Sequence, residues 1–400
     1  MTQKKVLIVG GGFGGVKAAL ILSNDNRFEV TLITKSQDLV FYPTLYEMVT
    51  SHRDPNSLIP IKNIFENRKI NLIFEEAKEL DRNNKTLKTT NGGQYVYDIL
   101  ILALGVVTNY FGIPGLKENS FSIKNFEEIN RFKAHLHKEM VEEQKLDSHY
   151  LIIGAGPTGI ELAGTLPEYL KQLSYNHGLK GHKPKITLVE AAPKLLPNLP
   201  KDVSTIIKKR LTKLGVNIIT KAAIKRLDDD QALIGDKIYK TKTVVWTAGV
   251  SNNPFFILNN FSILTRGKVA VNTYLSTERD IYVIGDNADT PYSGMAQTAI
   301  WDAEFVANNL IRMEDSKEPK SYKARKPITI IPVGHKWAAL VWKNIKIYGY
   351  LGWLLRGSAD IIGFHDLEAW DKVTKQIIGH TVIEEECPVC NIAKMAKNIS

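Results

Sequence analysis

At 400 residues, with 44% hydrophobic and 24% charged residues, the chain is large enough for two or three ordinary globular domains. Its formal net charge is +10, but the basic residues are scattered and form no run interleaved with aromatic residues, so we expect no nucleic-acid partner. No uninterrupted apolar stretch reaches the roughly 18 residues that a membrane-spanning helix needs, so no membrane crossing is predicted.

A strand, a glycine-rich turn and a helix are predicted at the start of the chain. The apolar run Val6–Val9 indicates the strand, and the helix is predicted over Val16–Leu22. Between them, Gly10, Gly12 and Gly15 have the G-x-G-x-x-G spacing. These glycines permit the tight turn, the approach of the backbone to a pyrophosphate, and the close packing of the helix. The pattern predicts a bound dinucleotide.

The next segments of this first unit depart from the usual pattern in one respect. A second strand is predicted over Glu29–Ile33, and the apolar run Asp98–Gly105 is typical of a strand buried on both faces. The acidic residue that usually follows the second strand and binds the ribose is replaced by Thr34-Lys35. We therefore expect the ribose of this dinucleotide to be held differently.

A second fingerprint follows a charged, helical segment at residues 126–144. Gly154, Gly156 and Gly159 repeat the spacing, and the next strand, Lys185–Val189, ends at Glu190. A carboxylate there accepts a hydrogen bond from the ribose 2′-hydroxyl and repels a 2′-phosphate, which favours NADH over NADPH. An ordinary surface glutamate is the alternative. Two fingerprints indicate two dinucleotides that exchange electrons.

The remaining segments predict how the two units are joined. The predicted elements are a helix at Val203–Leu214, a strand at Val216–Thr220, a polar stretch at Leu227–Lys242, an apolar run at Val244–Gly249, strands at Lys268–Val271 and Ile281–Gly285, and a helix at Met295–Leu310. The expected fold class is α/β, with two Rossmann-like domains. The first domain is predicted to be discontinuous (1–115 and 252–326), the second (116–251) to be inserted in it, and 327–400 to form a C-terminal module.

Several segments in a fixed order carry a family resemblance. The chain resembles the two-dinucleotide flavoprotein disulfide reductases, and among them the type II NADH dehydrogenases (NADH:quinone oxidoreductases). The segments that carry it are VLIVGGGFGG, VFYPTLYEMVT, ILALGVVTNYFGIPGL, IIGAGPTGIELAG, VEAAPKLLP, VVWTAGV, IYVIGDNA and MAQTAI.

The resemblance implies a glutathione-reductase-like arrangement with FAD at the first fingerprint and NADH at the second. In this superfamily a Gly-Asp pair, here Gly285 and Asp286, holds the ribityl chain of the flavin. Cofactor contacts are implied for Gly10, Gly12, Phe13, Gly14, Gly15, Lys35, Pro43, Ala103, Gly105, Gly154, Gly156, Thr158, Gly159, Glu190, Ala248, Gly249, Gly285, Asp286 and Ala296.

Two residues are implied to be catalytic. Glu161 corresponds to a family glutamate near the stacked nicotinamide and flavin rings; the alternative is an acid that only complements the helix dipole. Gln297 belongs to an A-Q-x-A motif that resembles the quinone site of the family. The two glutamines and the glycine that usually follow are replaced by Trp301, Asp302 and Ala303, which bears on the choice of acceptor.

The only two cysteines, Cys387 and Cys390, lie near the C-terminus. No disulfide framework is expected, and a reducing compartment is indicated. The disulfide reductases that the chain resembles carry a redox cysteine pair after the first fingerprint. The corresponding region here, Gly14 to Thr50, has none, so the resemblance implies that electrons leave the flavin directly. One C-x-x-C pair cannot close a zinc site, so no metal is predicted; a solvated tail, a metal site and a redox role remain open.

The C-terminal module is rich in aromatic and apolar residues, including Trp342, Tyr348, Tyr350, Trp353 and Trp370. Such rings suit the boundary of an anionic membrane, and a homodimer interface is the alternative. Together with the resemblance, these features predict a peripheral enzyme on the cytoplasmic face of the cell membrane that passes electrons from NADH through FAD to quinone without pumping protons. The alternatives are an NADH-dependent reductase of a ferredoxin-type carrier and a non-enzymatic flavin redox sensor.

Overall fold

The computed structural model describes residues 3–50, 58–145, 148–181 and 183–365, except for the side chains of residues 361, 362, 364 and 365. Its first unit is built on a six-stranded sheet that is parallel except at one edge. In spatial order the strands are Ser276–Glu278, Ile281–Val283, Ile99–Leu102, Lys4–Val9, Phe28–Ile33 and Asn71–Ile73.

Both faces of this sheet are covered, which explains why its strands are apolar throughout. Val6 and Ile8 face the helices Phe13–Leu22 and Ala296–Glu314, which pack against each other. Leu7 and Val9 face the opposite core, which includes residues of a small antiparallel sheet. The strands of that sheet are Ala77–Asp81, Thr86–Thr89 and Gln94–Val96.

Short elements complete the first unit. Asp38–Val40 pairs antiparallel with Leu58–Pro60. The remaining short elements are the 3-10 turns Tyr42–Thr44 and Gly285–Asn287 and the helices Leu45–Thr50, Ile61–Ile64 and Pro254–Leu258. The two crossings to the second unit run side by side, because Val106–Thr108 pairs antiparallel with Val250–Asn252.

The second unit repeats the arrangement around a four-stranded parallel sheet. Its strands, in spatial order, are Val216–Thr220, Lys185–Glu190, His149–Ile153 and Thr243–Trp246. Its helices are Leu116–Asn119, Phe126–His137 with a π-helical turn at Lys138–Glu142, Pro157–Asn176 and Lys201–Lys213. A three-stranded meander of Ile224–Leu227, Gln231–Ile234 and Lys237–Lys240 packs on it.

The C-terminal segment packs onto the second unit. Its antiparallel strands are Thr329–Pro332, Ala338–Trp342 and Ile345–Gly349, and the helix Tyr350–His365 follows. Ile331 and Val333 belong to the same buried apolar cluster as Ile152 and Leu162 of the second unit. Among the described residues, no helix combines the length and the apolar composition needed to cross a bilayer.

The predicted α/β fold class with two Rossmann-like units is confirmed. The structure corrects two local predictions and adds strands in one segment for which no element was predicted. Lys268–Val271 is not a strand: it follows a left-handed turn at Gly267, and only Val269 forms isolated bridges. The predicted helix at residues 126–144 changes to a π-helical turn after His137. The polar stretch Leu227–Lys242 holds β-strands of only four residues each, too short for a clear alternation pattern.

Candidate cofactor and active site

The first fingerprint forms a turn that only glycine fits. Gly10 has a left-handed φ of +116°, and a Cβ placed there would lie 2.1 Å from the carbonyl oxygen of Ala103. A Cβ at Gly15 would lie 1.9 Å from the carbonyl oxygen of Gly10. A Cβ at Gly14 would only touch Ile284, at 3.3 Å. The turn therefore joins the strand, its neighbour and the helix with no room for a side chain at position 10 or 15.

The second fingerprint has the same construction. Gly154 has a φ of +111°, and its Cβ would lie 2.7 Å from the Cα of Ala248. A Cβ at Gly159 would lie 1.9 Å from the carbonyl oxygen of Gly154. A Cβ at Gly249 would lie 2.3 Å from the carbonyl oxygen of Asn109, so this neighbouring turn is equally tight.

The middle glycine of each fingerprint is different because it faces open space. A Cβ at Gly12 or Gly156 would meet no protein atom within 4 Å. Both glycines are N-caps, and having no side chain they leave the first N–H groups of their helices uncapped. Thr158 is exposed in the first turn of the second helix. Free backbone N–H groups at a helix N-terminus bind phosphate, so both turns fit the pyrophosphate of a dinucleotide.

Glu190 lies at the end of the strand beside the second fingerprint, where the sequence placed it. Its Oε2 accepts a hydrogen bond from the backbone N–H of Ala155 at 2.7 Å, and its Oε1 accepts one from Ala192 at 2.8 Å. The carboxylate is thus fixed beside the glycine turn. An acceptor held there can bind a ribose hydroxyl of the nucleotide whose phosphates occupy the turn.

Residues from the ends of two neighbouring strands of the first sheet meet at Asn287. This amide is fully buried; it accepts a hydrogen bond from the N–H of Gly105 at 2.9 Å and donates to the carbonyl of Gly105 at 2.6 Å. It also donates to Asn252 at 2.5 Å. These bonds join the Gly285–Asn287 turn to the crossing strands.

Asp286 is half-buried in this turn. Burial raises the pKa of its carboxyl, while Lys268 and Lys124 lower it. The Nζ of Lys268 donates to the backbone carbonyl of Asp286 at 3.2 Å. Lys124 belongs to the second unit, so its coupling to Asp286 brings the two units together at this carboxylate.

Three other predicted cofactor residues differ in how much of each is free to contact a cofactor. Lys35 is exposed and lies 3.9 Å from Glu76. Phe13 is buried, with its ring 5.6 Å from that of Phe41, so only its backbone at the helix start is offered to a cofactor. The carbonyl of Pro43 accepts a hydrogen bond from Arg356.

Glu161 lies just beyond the first turn of the helix Pro157–Asn176 and is buried. Burial raises the pKa of its carboxyl to about 7; Arg356 opposes this shift, while Asp360 and Glu47 add to it. This side chain therefore does not simply complement the helix dipole at the surface. It can hold or release a proton near neutral pH.

Arg356 connects Glu161 to the rest of the molecule. Its Nε donates to Asp360 at 2.9 Å, and two further nitrogens donate to the carbonyls of Pro43 and Ile330. Burial disfavours the guanidinium charge, but Asp360 and Glu161 more than offset this, so the pKa of Arg356 is raised. Nearby, Tyr46 donates to Glu47 at 2.8 Å. A charged cluster, in which Glu161 is buried and Arg356 and Asp360 are half-buried, therefore lies where the first unit, the second unit and the C-terminal helix meet.

Gln297 and Trp301 lie one helical turn apart on the helix Ala296–Glu314. The Oε1 of Gln297 accepts a hydrogen bond from the backbone N–H of Ile328 at 3.1 Å. The guanidinium of Arg325 lies 5.9 Å from the Trp301 ring. The adjacent Asp302 instead points into the protein and is fully buried.

Arg356, Asn287 and Asp302 were not among the predicted site residues. Arg356 and Asp360 interrupt an apolar helix four residues apart, and this spacing is the one signal that could have indicated an ion pair. Asn287 follows the Gly-Asp pair directly. Cys387, Cys390 and Trp370 lie outside the described residues.

The chain matches the family model of the pyridine nucleotide-disulphide oxidoreductases over residues 4–303. It is 30% identical to a type II NADH:quinone oxidoreductase of Staphylococcus epidermidis, an alignment that covers 83% of this chain and 88% of the relative. It is 28% identical to the protein of the same name from Staphylococcus aureus, with 80% and 85% covered.

Solved structures show the same fold. NDH2 from Plasmodium falciparum in complex with NADH has a TM-score of 0.84 at 17% identity and covers 94% of this chain and 97% of its own. The sulfide:quinone oxidoreductase from Aquifex aeolicus has a TM-score of 0.77 at 20% identity, with 89% of each chain covered.

The chain has two glycine turns, one beside each sheet, and it matches the family model over most of its length. It is therefore a pyridine nucleotide-disulphide oxidoreductase, a flavoprotein that uses FAD and NADH. The residues at both turns fit these cofactors. Within this family, the chain belongs to the type II NADH:quinone oxidoreductases.

Proposed function

We propose that this chain oxidises NADH and reduces a quinone through FAD, with FAD at the first glycine turn and NADH at the second. The observation that carries the proposal is the meeting of both units at buried Glu161, which lies in the helix that begins at the second glycine turn. Residues 1–115 and 252–326 would form the FAD domain, 116–251 the NADH domain, and 327–400 the C-terminal module.

The chain's own residues align the two nucleotides. The free backbone N–H groups of the first helical turns would bind the pyrophosphates; after Gly156 they begin at Thr158, because Pro157 has none. Asp286 would bind the ribityl hydroxyls. Glu190 would accept a hydrogen bond from the ribose of NADH. When bound, the flavin ring supplies the group that takes a hydride from NADH and returns two electrons to quinone.

Glu161 and Gln297 would serve the quinone. With its pKa raised to about 7 by burial, Glu161 can hold the proton that a reduced quinone oxygen requires. The oxygen of Gln297 is occupied by Ile328, whereas its amide nitrogen makes no hydrogen bond within the described part of the chain. The amide –NH₂ group of Gln297 can therefore donate a hydrogen bond to a quinone carbonyl.

The C-terminal helix would hold the enzyme at the membrane. Tyr350, Leu351 and Leu354 are 57%, 56% and 45% exposed, and Ile345 of the preceding strand is 49% exposed. Together with the net charge of +10, this apolar surface suits a peripheral position on an anionic membrane, on its cytoplasmic face. A homodimer formed through the same surface is the competing use.

A second candidate function is the reduction of an acidic electron-carrier protein with NADH. The observation that favours it is the replacement of two family glutamines by Trp301 and Asp302, of which Asp302 faces the protein interior. A basic surface would suit such a partner.

Stopped-flow spectroscopy tests both functions on the purified holoenzyme. NADH should bleach the oxidised-flavin absorption, and a ubiquinone or menaquinone analogue should restore it quickly. Restoration by a ferredoxin and not by quinone would establish the second function instead. Protein that carries no flavin would contradict both.

A further inference from the structure

Asp302 is a charged residue in a fully buried position beside the Gly285–Asn287 turn. It lies on the helix Ala296–Glu314 with a relative exposure of 0%. One carboxylate oxygen accepts a hydrogen bond from the backbone N–H of Gly285 at 3.1 Å, and the other accepts one from the hydroxyl of Tyr322 at 2.5 Å. Both oxygens therefore have fixed partners.

The turn that Asp302 holds is fitted closely to the helix. Gly285 has a left-handed φ of +68°, and a Cβ there would lie 3.2 Å from the Cβ of Ala299. The next residue is Asp286, and the direction of its side chain depends on how the Gly285 backbone is oriented. A buried N–H group without an acceptor costs free energy, so the bond to Asp302 stabilises this orientation over others.

Tyr322 is itself held in place by two contacts besides its bond to Asp302. Its N–H donates to the carbonyl of Thr273 at 2.7 Å, and its ring lies 5.1 Å from that of Phe305 in an edge-to-face contact. Asn309 bonds both backbone groups of nearby Lys320. The hydroxyl that meets Asp302 is thus part of a fixed surface behind the turn.

The choice of a carboxylate here has an electrostatic consequence. Burial raises the pKa of Asp302 to about 6, although the bonds from Tyr322 and Gly285 oppose that rise; the other charged groups that act on it are Asp286 and Lys268. Above that pH a negative charge stands behind the turn. A family glutamine could make similar hydrogen bonds but would carry no charge.

We propose that Asp302 is a positioning residue for the flavin: its carboxylate fixes the Gly285 peptide, and hence Asp286, and it adds a negative charge behind the flavin-binding turn. This inference rests on the proposed placement of FAD at the first glycine turn. It concerns this chain in particular, because the resemblance implies a glutamine at the position where this chain has Asp302.

The experiment compares the holoenzyme with D302N, D302A and the control N259A. An asparagine can still accept from Gly285 and donate to Tyr322, whereas alanine can do neither. Asn259 is another buried polar residue of the first unit; it accepts from the N–H of Leu80 at 2.7 Å and does not touch the turn. Flavin release, measured by FAD fluorescence, and unfolding, measured by tryptophan fluorescence, are followed separately.

FAD should dissociate from D302A about tenfold faster or more, while D302N and N259A should release it at nearly the wild-type rate. The flavin midpoint potential of D302N should be higher than that of the wild type at pH 8, because removal of a negative charge favours the electron-rich reduced flavin. At pH 5, where Asp302 is protonated, the two potentials should coincide.

Equal FAD release from D302A and N259A would overturn the proposal, as would identical potentials of D302N and the wild type at pH 8. If D302A does not fold, the potential of D302N decides alone. Wild-type protein without bound FAD would instead contradict the proposed function, so the two failures are distinguishable.

Discussion

The carboxylate of Glu190 accepts a hydrogen bond from the backbone N–H of Ala155 at 2.7 Å and is thereby fixed beside the second glycine turn. The same side chain is the proposed ligand of the NADH ribose. A fixed negative charge at this point would repel a 2′-phosphate, so the discrimination between NADH and NADPH is expected to depend on Glu190.

Glu190→Gln should reduce the preference for NADH over NADPH by about tenfold or more, because it removes the charge and keeps an acceptor for only one of the two backbone donors, Ala155 and Ala192. Glu190→Ala should reduce the preference and also weaken NADH binding, because the turn loses its partner. The measurement is kcat/KM for both nucleotides in each variant. A wild-type enzyme that already prefers NADPH would show that the ribose argument is wrong.

Gly10→Ala and Gly12→Ala should differ sharply although they lie in the same turn. The new Cβ at position 10 would meet the Ala103 carbonyl at 2.1 Å, so this variant should lose several kcal/mol of stability, or fail to fold. At position 12 the Cβ meets no protein atom within 4 Å, so the FAD-free variant should unfold near the temperature of the FAD-free wild type but bind FAD weakly. Thermal unfolding and the flavin-to-protein ratio test this. Full flavin content in Gly12→Ala would place FAD elsewhere.

Glu161→Gln should change how stability depends on pH. The folded-state pKa of Glu161 is about 7 and its ordinary value is 4.5, so the folded chain binds this proton more tightly than the unfolded chain does. The stability that the protonated side chain contributes is present below pH 4.5 and is lost as pH rises to about 7. The wild type should therefore lose on the order of 3 kcal/mol relative to Glu161→Gln across this window.

Urea unfolding at several pH values measures that difference. Glu168→Gln is the matched control, because Glu168 is exposed on the same helix and should leave the wild-type profile unchanged. Parallel pH profiles for the wild type and Glu161→Gln would mean that Glu161 is not protonated in the folded protein at neutral pH.

Gln297→Glu should slow the reoxidation of the flavin by quinone about tenfold or more, with little effect on its reduction by NADH. The new carboxylate can still accept from Ile328, but it cannot donate to a quinone carbonyl. Stopped-flow traces of the two half-reactions make the comparison within one variant. A larger effect on reduction by NADH would place Gln297 at the nucleotide site.

Leu351→Glu with Leu354→Glu should release the protein from anionic phosphatidylglycerol vesicles, because both exposed leucines lie on the C-terminal helix. Ile257→Glu is the control: Ile257 is 66% exposed but lies on the short helix Pro254–Leu258. Vesicle sedimentation measures binding. A double variant that still sediments but changes from dimer to monomer would assign this surface to self-association.

Features that depend on residues close together in the sequence were predicted, whereas hydrogen bonds between residues far apart in the sequence were not. The glycine turns and the strand ending at Glu190 could be predicted because spacing and apolar runs are local signals. The bonds from Arg356 to Pro43 and from Tyr322 to Asp302 could not, because each needs a tertiary fold that no local pattern encodes. The roles of Glu161 and Gln297 stay predictions.

The pairing of Val106–Thr108 with Val250–Asn252 has a consequence for protein engineering. Thr108 and Val250 stand opposite each other on antiparallel strands, so the second unit leaves and re-enters the first at a single point. A two-residue turn could join these positions directly, because such turns connect antiparallel partners. The nucleotide unit between them could therefore be exchanged for one of different coenzyme preference while the six-stranded sheet keeps all of its strands, provided that the new unit also packs against Leu45, Ile331 and Val333.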